Sequence, residues 1–404
     1  MCTGSELLAS RVNIYVPAFA QRLIKVGFRI QREHCVGDNL NDIAGTVACA
    51  LRSADLVLVC GGLGPTFDDV TRQAVAKVLG RKLVYSAYAE RTLRANYNLT
   101  GFSPNMKDQC YIIAGAALAN NANGTAFGQM LTEKRKMIVL LPGPRPEWEP
   151  MFDAVILGGI KKFFKVKEGL VRSLTLKIAG LWEVQTENLL KPVTSRFKDA
   201  VYTILAGPNI SEFSFTVSGK SPGAAAVRLA RIEKACRKIL GGNIYGTGGD
   251  TLASVVGGLL AEKGATLSLA ESCTGGLAAD LLTDVPGASE YFMGGVVVYS
   301  NASKEQLLGV KKGTLLEYGA VSKECATELA VNCRKLFKTD YAAAITGIAG
   351  PSGGTAEKPV GLVHFALAAA GKTAHFSANF RGPRATVKSC AVNFALDALR
   401  KVIK

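Results

Sequence analysis

The chain has 404 residues, of which 48% are hydrophobic and 20% charged, with 43 glycines and few aromatic residues. This length exceeds one ordinary domain, so we expect two or three domains of about 100–200 residues each. The composition excludes a disordered chain and a coiled coil, and it favours glycine-punctuated α/β domains.

The formal net charge of +16 raises the question of nucleic-acid binding. Lysine and arginine are spread along the chain, and only residues 160–167 (IKKFFKVK) combine them with aromatic residues. Nucleic-acid-binding proteins usually concentrate both types on one surface. We therefore expect no nucleic-acid partner, and a general preference for anionic metabolites such as phosphates.

The ten cysteines are scattered singly, without a CxxC pair, which is typical of reduced thiols in a cytoplasmic protein. No stretch reaches the roughly 18 apolar residues of a membrane-spanning helix. The N-terminal segment MCTGSELLASRV lacks the apolar core of a signal peptide. The sequence therefore predicts a cytoplasmic protein that does not associate with a membrane.

The first 150 residues alternate short apolar runs with segments of helical period. Residues 55–65 (DLVLVCGGLGP) predict a buried strand that enters a glycine-rich turn, and residues 67–80 (FDDVTRQAVAKVLG) predict a helix with two acidic residues in its first turn. Residues 136–146 (KMIVLLPGPRP) predict another strand. This βαβ pattern indicates a parallel or mixed sheet covered by helices.

The pattern changes in the middle of the chain. SLTLKIAG and SEFSFTVSGKSPG predict two strands, and residues 224–242 predict an amphipathic helix with a Gly-Gly stop. Residues 243–250 (NIYGTGGD) are interpreted as a linker. From Thr251 onward helices and strands alternate again, so a second α/β domain follows.

The segment GGLGPTFDD, residues 61–69, is the first cluster that could carry chemistry. A strand that ends in such glycines presents backbone amides at a helix N-terminus, which bind phosphate without side chains. Asp68 and Asp69 could hold a divalent metal such as Mg²⁺ against a pyrophosphate. The alternative is a tight turn whose aspartates complement the helix dipole. Residues 122–128 and 141–152 are expected to fold over the same site.

The second cluster is ESCTGG, residues 271–276, at a predicted transition from strand to helix. Ser272, Cys273 and Thr274 would lie where backbone amides converge, a position suited to a phosphate cradle or an oxyanion hole. A nucleophile at this position needs a base. His364 and His375 fall in strand-like segments, so we do not expect a Ser-His-Asp triad.

Tyr299 and Lys304 are better candidates for that base. A lysine that is partly desolvated, or a tyrosine beside it, can accept a serine proton. The alternative is a packed tyrosine and a solvated surface lysine. Residues 346–354 (TGIAGPSGG) add another glycine-rich loop that could bind an anion.

Several motifs together resemble the CinA family (competence/damage-inducible protein A), and the resemblance covers essentially the whole chain. The motifs are GGLGPTFDDVT, LPGPRPEWEPMF, AESCTGGL, VVYSNASKEQLLGV, GAVSKECA, TGIAGPSGGTAEKPVGLV and RGPRATVKSCAVNFALDAL. The resemblance implies an N-terminal molybdopterin-binding-like domain with three α/β/α layers (1–162), a small KH-like α+β domain (163–249) and a C-terminal α/β amidohydrolase domain (250–404).

For the C-terminal domain, the resemblance implies hydrolysis of the carboxamide of nicotinamide mononucleotide to nicotinate mononucleotide and ammonia, without a cofactor. It assigns Ser272 as the nucleophile, Tyr299 and Lys304 as its proton-handling partners, and the amides near Gly275 and Gly276 as oxyanion donors. The remaining pocket residues that it implies are Thr274, Gly275, Gly276, Asn301, Thr346, Gly347, Gly350 and Arg384.

For the N-terminal domain, the resemblance implies a metal-dependent pyrophosphatase that cleaves ADP-ribose to AMP and ribose 5-phosphate. Asp68 and Asp69 would hold the metal, and Gly61, Gly62, Gly64 and Thr66 would contact the substrate. The alternative is a module that binds a pterin or nucleotide and dimerises without turnover.

The N-terminal domain also departs from the family pattern. The chain begins at MCTGSELL and has no room for the apolar strand that precedes the GTELL motif of the family. Where the family has the motif NTN, this chain has NIY (13–15). In SPNMKDQC, Asp108 stands at the position where the family has a lysine. A missing strand leaves a sheet edge uncovered unless a partner chain fills it, so we expect a homodimer.

Overall fold

The computed structural model describes residues 1–97, 101, 103–167 and 169–404. The chain divides into two compact units, residues 1–171 with 219–225, and residues 172–218 with 226–404. Among the described residues, no helix is both long enough and apolar enough to cross a membrane. All ten cysteines are free thiols.

The first unit contains a six-stranded sheet and a separate two-stranded one. Its strands are β1 (Cys2–Thr3), β2 (Cys35–Val36), β3 (Leu56–Cys60), β4 (Leu83–Tyr85), β5 (Tyr111–Ile113), β6 (Ala117–Ala119), β7 (Gly128–Glu133) and β8 (Lys136–Leu141). Its helices are α1 (Ser5–Ala9), α2 (Tyr15–Leu23), α3 (Leu40–Ser53), α4 (Thr71–Leu79), α5 (Ala87–Tyr97), α6 (Pro104–Asp108), α7 (Arg145–Met151) and α8 (Leu157–Phe163), with a π-helical segment, Phe152–Ile156, before α8.

The large sheet has the order β2-β1-β3-β8-β7-β6, and β4 pairs with β5. Its first four strands are parallel and its last two pairings are antiparallel. In β3, Leu58 and Cys60 pack into the core on one face, whereas Val57 and Val59 pack into the core on the other. Burial on both faces is what a central parallel strand requires, and it confirms the three-layer α/β/α class.

Two expectations for this unit are wrong. The strand before GSELL exists, because β1 pairs with β2 and β3, and the chain's amino group donates to the Leu58 carbonyl. The supposed gap in the sheet is therefore filled, and the homodimer stays a prediction. The helix predicted from residue 67 begins at Thr71, because Asp68 and Asp69 form a turn in which the Asp69 carboxylate accepts the Thr66 amide.

The next segment is an α+β module in the order β9 (Val171–Ala179), α9 (Glu183–Arg196), β10 (Val201–Gly207), β11 (Ile210–Ser218), α10 (Pro222–Leu240) and β12 (Ile244–Thr247). Its sheet order is β10-β11-β9-β12, a split βαβ arrangement. The predicted linker at 243–250 is wrong, because β12 pairs antiparallel with β9 and Ile244 is buried.

The C-terminal segment forms a five-stranded sheet covered on both faces. Its elements are α11 (Leu252–Lys263), β13 (Leu267–Glu271), α12 (Leu277–Thr283), β14 (Phe292–Val297), α13 (Asn301–Leu308), α14 (Lys312–Glu317), α15 (Lys323–Phe337), β15 (Tyr341–Gly347), β16 (Leu362–Ala369), β17 (Lys372–Asn379) and α16 (Arg384–Ile403). The sheet order is β14-β13-β15-β16-β17. β13 runs parallel to both of its neighbours, so the carboxyl ends of β13, β14 and β15 share one edge. Ligands of such sheets bind at that edge.

Candidate functional site

Ser272 and Lys304 meet at the shared carboxyl edge of the C-terminal sheet. Ser272 follows β13 directly, and its amide donates to the carbonyl of Ile345 on β15 at 2.9 Å. Lys304 lies in the first turn of α13, whose start is capped by Ser300. The Lys304 Nζ lies 3.0 Å from the Ser272 Oγ. The structure thus joins two residues that are 32 positions apart in sequence.

Lys304 is buried, and among the described residues no acidic side chain pairs with it. Its side chain is 1% exposed, and its Nζ also donates to the carbonyls of Val298 at 2.8 Å and Tyr299 at 3.3 Å. Desolvation lowers the pKa of this ammonium below its usual value. A lysine in this setting can lose its proton and then accept one from a neighbouring hydroxyl. The alternative of a solvated surface lysine is wrong.

Glu271 organises the turn that carries Ser272. Its buried carboxylate accepts hydrogen bonds from the amides of Gly276, Ala278 and Ala279 at 2.9–3.1 Å. These amides lie at the N-terminus of α12, where a carboxylate is favourable. The turn also requires glycine, because Gly275 and Gly276 have φ values of 64° and 95°.

The oxyanion donors expected at Gly275 and Gly276 are already engaged. The Gly275 amide donates to the Ser272 carbonyl at 3.1 Å, and the Gly276 amide donates to Glu271. By contrast, the Thr274 amide donates to no backbone carbonyl within the described residues. Thr274 is fully buried, and its hydroxyl has no hydrogen-bond partner in the described part of the chain.

Cys273 is another potential nucleophile near Ser272, and two histidines, His364 and His375, are other potential bases in this domain. Burial raises the pKa of the Cys273 thiol to about 12, so it stays protonated at neutral pH. His364 and His375 lie on β16 and β17, where their ring nitrogens contact each other at 3.0 Å. Burial lowers the pKa of both imidazoles.

Tyr299 contributes differently from the expectation. Its carbonyl accepts from Lys304, but its half-exposed phenol accepts from Arg384 Nη2 at 2.6 Å. Arg384 Nη1 also donates to the Gly350 carbonyl at 2.9 Å. Arg384 therefore joins the chain after β14 to the glycine-rich loop after β15, and the Tyr299 hydroxyl faces this arginine.

The remaining predicted pocket residues shape the loops. Asn301 is the first residue of α13 and is exposed. The buried Thr346 hydroxyl donates to the Ala320 carbonyl at 2.8 Å. A Cβ on Gly347 would lie 2.7 Å from the Leu362 carbonyl oxygen, and one on Gly350 would lie 2.5 Å from Val360. These glycines permit the close approach of neighbouring chain segments.

Lys388 is a candidate that sequence reasoning missed. It lies one turn after Arg384 on α16, and its Nζ is 3.8 Å from where a Cβ on Gly275 would be. Two cations thus stand at the start of α16, beside the turn of Ser272. The sequence RGPRATVK predicts that Arg384 and Lys388 lie on the same face of a helix, because they are four residues apart. It does not predict that Lys388 lies near Gly275.

The first unit contains a separate cavity of about 190 Å³ at its glycine-rich loop. The cavity is lined by Gly64, Pro65, Thr66, Asp69, Arg72, Gln73, Leu83, Asp108 and Tyr111. Arg72 is 5% exposed, donates to the carbonyls of Asp108 and Tyr111, and has an unpartnered Nε within the described residues. Desolvation lowers the pKa of Arg72, which remains a cation at neutral pH because of its intrinsic basicity. Sequence reasoning missed this arginine.

The two predicted metal ligands are placed differently. Asp69 lines the cavity and accepts from the Thr66 amide at 3.0 Å, whereas Asp68 is exposed and does not line it. In the described residues, no group of three or more His, Cys, Asp or Glu side chains is placed to hold a metal. The oxygens of Asp69 and Asp108 fit a hard cation such as Mg²⁺ only together with phosphate or water oxygens. Gly61 and Gly62, with φ values of 107° and 65°, pack against Thr3 and Thr71 instead of opening into the cavity.

Two family models match the chain. Residues 1–162 match the family described as "Probable molybdopterin binding domain", and residues 249–403 match the "CinA C-terminal domain".

Full-length relatives match along nearly the whole chain. A CinA-like protein of Endomicrobium trichonymphae is 40% identical and aligns over 99% of this chain and 97% of its own length. A competence-damage inducible protein of Clostridium acetobutylicum is 37% identical over 100% and 98%, respectively. Among solved structures, a competence/damage inducible protein of Agrobacterium tumefaciens is 39% identical, with a TM-score of 0.37, over 38% of this chain and 94% of that chain.

Proposed function

The chain belongs to the CinA family of competence-damage inducible proteins, and we propose that its C-terminal domain hydrolyses the carboxamide of nicotinamide mononucleotide. The products are nicotinate mononucleotide and ammonia. The observation that carries this proposal is the buried contact of 3.0 Å between Lys304 Nζ and Ser272 Oγ. A serine with an adjacent base is the arrangement that acyl-transfer enzymes use to activate a hydroxyl.

The surroundings of Lys304 suit both of its protonation states. As an ammonium it has three N–H donors, which match the two carbonyls and the Ser272 hydroxyl. As a neutral amine it keeps two N–H donors for the carbonyls and offers its lone pair to the Ser272 hydroxyl. Lys304 can therefore take and return a proton without moving.

The reaction then follows in two halves. Neutral Lys304 takes the Ser272 proton as Oγ attacks the carboxamide carbon, and it gives that proton to the nitrogen that leaves as ammonia. Water attacks the resulting acyl-serine and Lys304 accepts a proton from this water. Lys304 then returns the proton to the Ser272 Oγ as the ester bond breaks, which regenerates the serine and the neutral amine and releases nicotinate mononucleotide. The developing oxyanion needs a donor other than the Gly275 and Gly276 amides, because both are occupied.

The proposal is tested by incubating the full-length protein with nicotinamide mononucleotide and measuring ammonia and nicotinate mononucleotide in parallel. Equal amounts of both products are expected, in the absence of added metal. Ammonia release no faster than in a no-protein control would contradict the proposal.

We expect the cations of α16 to favour nucleotides over nucleosides, because they would contact the phosphate. We expect Lys388→Ala to raise the KM for nicotinamide mononucleotide by about 10-fold or more, because one charge-assisted contact to the phosphate is lost. Turnover of nicotinamide riboside, which lacks the phosphate, should not change. Lys372→Ala removes an exposed lysine on β17 and should leave both substrates unaffected. An equal loss with nucleotide and nucleoside would refute this role of Lys388.

A second candidate function, cleavage of ADP-ribose by the N-terminal domain, is supported by the cavity in which Asp69 and Arg72 lie. Asp69 and Asp108 would hold a divalent cation jointly with the substrate, and the bound ion would offset negative charge on the diphosphate. Arg72 would bind a phosphate oxygen through its unpartnered Nε.

Asp69→Asn is expected to abolish metal-dependent AMP formation from ADP-ribose, because it removes one of the two carboxylates that would hold the cation. Asp68→Asn is the matched control and should retain most of the activity, because its carboxylate lies outside the cavity lining. The measurement is chromatographic detection of AMP with and without Mg²⁺. Saturable nucleotide binding without AMP would instead assign this domain as a non-catalytic binding and dimerising module.

A further inference from the structure

Three cysteines stand side by side on neighbouring strands of the N-terminal sheet. Cys2 on β1 is the register partner of Cys35 on β2 and of Cys60 on β3. Register partners on parallel strands project to the same face of a sheet. The three thiols therefore form a row across the sheet, although they are scattered in the sequence.

The strand spacing brings the Cys2 thiol within cross-linking range of its neighbours. Adjacent strands lie about 4.7–4.9 Å apart. Disulfides join residues whose Cα atoms are about 4.4–6.8 Å apart. A disulfide from Cys2 to an adjacent strand thus requires side-chain rotation and little movement of the backbone.

The two possible partners of Cys2 differ in access and in hydrogen bonding. Cys60 is 1% exposed, and its Sγ donates to the Pro142 carbonyl at 3.2 Å. Cys35 is only half-buried, and its Sγ accepts from Asn13 Nδ2 at 3.4 Å and donates to the Glu33 carboxylate at 3.9 Å. Cys35 is therefore the member of the row that a small oxidant reaches first.

We propose that Cys2 and Cys35 form a redox-active pair, which a low-molecular-weight disulfide such as glutathione disulfide converts to a protein disulfide. The Cys35 thiolate attacks one sulfur of glutathione disulfide, forming a mixed disulfide and releasing one glutathione thiolate. The Cys2 thiolate then attacks the Cys35 sulfur and releases the second glutathione. Two cysteine thiols are oxidised, one disulfide is reduced to two glutathione thiols, and no other reactant is needed.

The residue after Cys2 contacts the glycine-rich loop at residues 61–69. Thr3 follows Cys2, and its carbonyl oxygen lies 2.3 Å from where a Cβ on Gly61 would be. The Thr3 hydroxyl also contacts the Thr71 hydroxyl at 3.3 Å, at the start of α4. A link between β1 and β2 would restrain the segment on which the loop rests. The proposal is independent of both activities proposed above.

The test uses the full-length protein with its thiols first reduced. After incubation with glutathione disulfide and blocking of free thiols, mass spectrometry of a non-reducing digest should show the peptide of Cys2 linked to the peptide of Cys35. Dithiothreitol should abolish this linked pair. Cys35→Ser should prevent the link, whereas Cys49→Ser, which removes a partly exposed cysteine on α3, should not affect it.

The outcomes separate the proposal from its alternatives. Recovery of Cys2 and Cys35 as blocked free thiols in the wild-type protein would overturn it. So would accumulation of glutathione on Cys35 without a link to Cys2, or a link between Cys2 and Cys60. Because the decisive measurement is made on the wild-type chain, it does not depend on how the variants fold.

Discussion

Lys304→Met is expected to lower kcat for deamidation of nicotinamide mononucleotide by about 10²–10⁴-fold, the usual contribution of a positioned acid or base. Methionine approximates the length of lysine but can neither accept the Ser272 proton nor deliver one to ammonia. The KM should change little, because Lys304 is buried behind Ser272 rather than at the mouth of the site. The measurement is initial rates of ammonia release over a range of substrate concentrations.

Two comparisons make this result specific. Lys323→Met removes a lysine at the start of α15 and should keep wild-type kinetics. In the wild-type protein, kcat/KM should rise with pH and level off above the pKa of Lys304, which burial places below 10.5. This rise should be absent from the residual activity of Lys304→Met. If Lys304→Met retained both the wild-type rate and the wild-type pH profile, Lys304 would not be the base.

Ser272→Ala is expected to reduce the same activity by about 10³-fold or more, because the acyl-enzyme can no longer form. Cys273→Ala is the matched control, since it alters the neighbouring position without removing an ionised group. It should leave kcat within a few-fold of the wild type. A wild-type ammonia burst that disappears in Ser272→Ala would identify the acyl intermediate. If Cys273→Ala lost activity while Ser272→Ala kept it, the nucleophile would be the Cys273 thiol instead.

The contact between Ser272 and Lys304 follows from the regular order of strands and helices in this part of the chain. Ser272 and Lys304 both follow parallel strands, and parallel strands end at the same edge. Any nucleophile after β13 therefore meets residues after β14. The amphipathic period of α16 and the buried run of β13 likewise set the elements around the site.

Other features depended on hydrogen bonds between distant residues. The two-residue strand β1 carries no periodicity, and it forms because β2 and β3 offer partners on both sides. The strand β12 resembled a linker in sequence because glycines follow it, but β9 supplies its partner.

Side-chain direction was the least predictable property of the candidate sites. Asp68 and Asp69 are adjacent, yet only Asp69 turns into the cavity, because its carboxylate binds the amide of Thr66. Similarly, the phenol of Tyr299 turns towards Arg384 while its carbonyl turns towards Lys304. Spacing places a residue on a segment, but local hydrogen bonds decide which of its atoms face the site.

The burial of Lys304 also ties the stability of the C-terminal domain to pH. Its pKa is lower in the folded chain than in the unfolded one, so between these two values the unfolded chain binds more protons. The free energy of unfolding should therefore increase as pH rises through this window. Below the window the folded chain carries the full penalty of a desolvated ammonium, so the domain is less stable there than it is above the window.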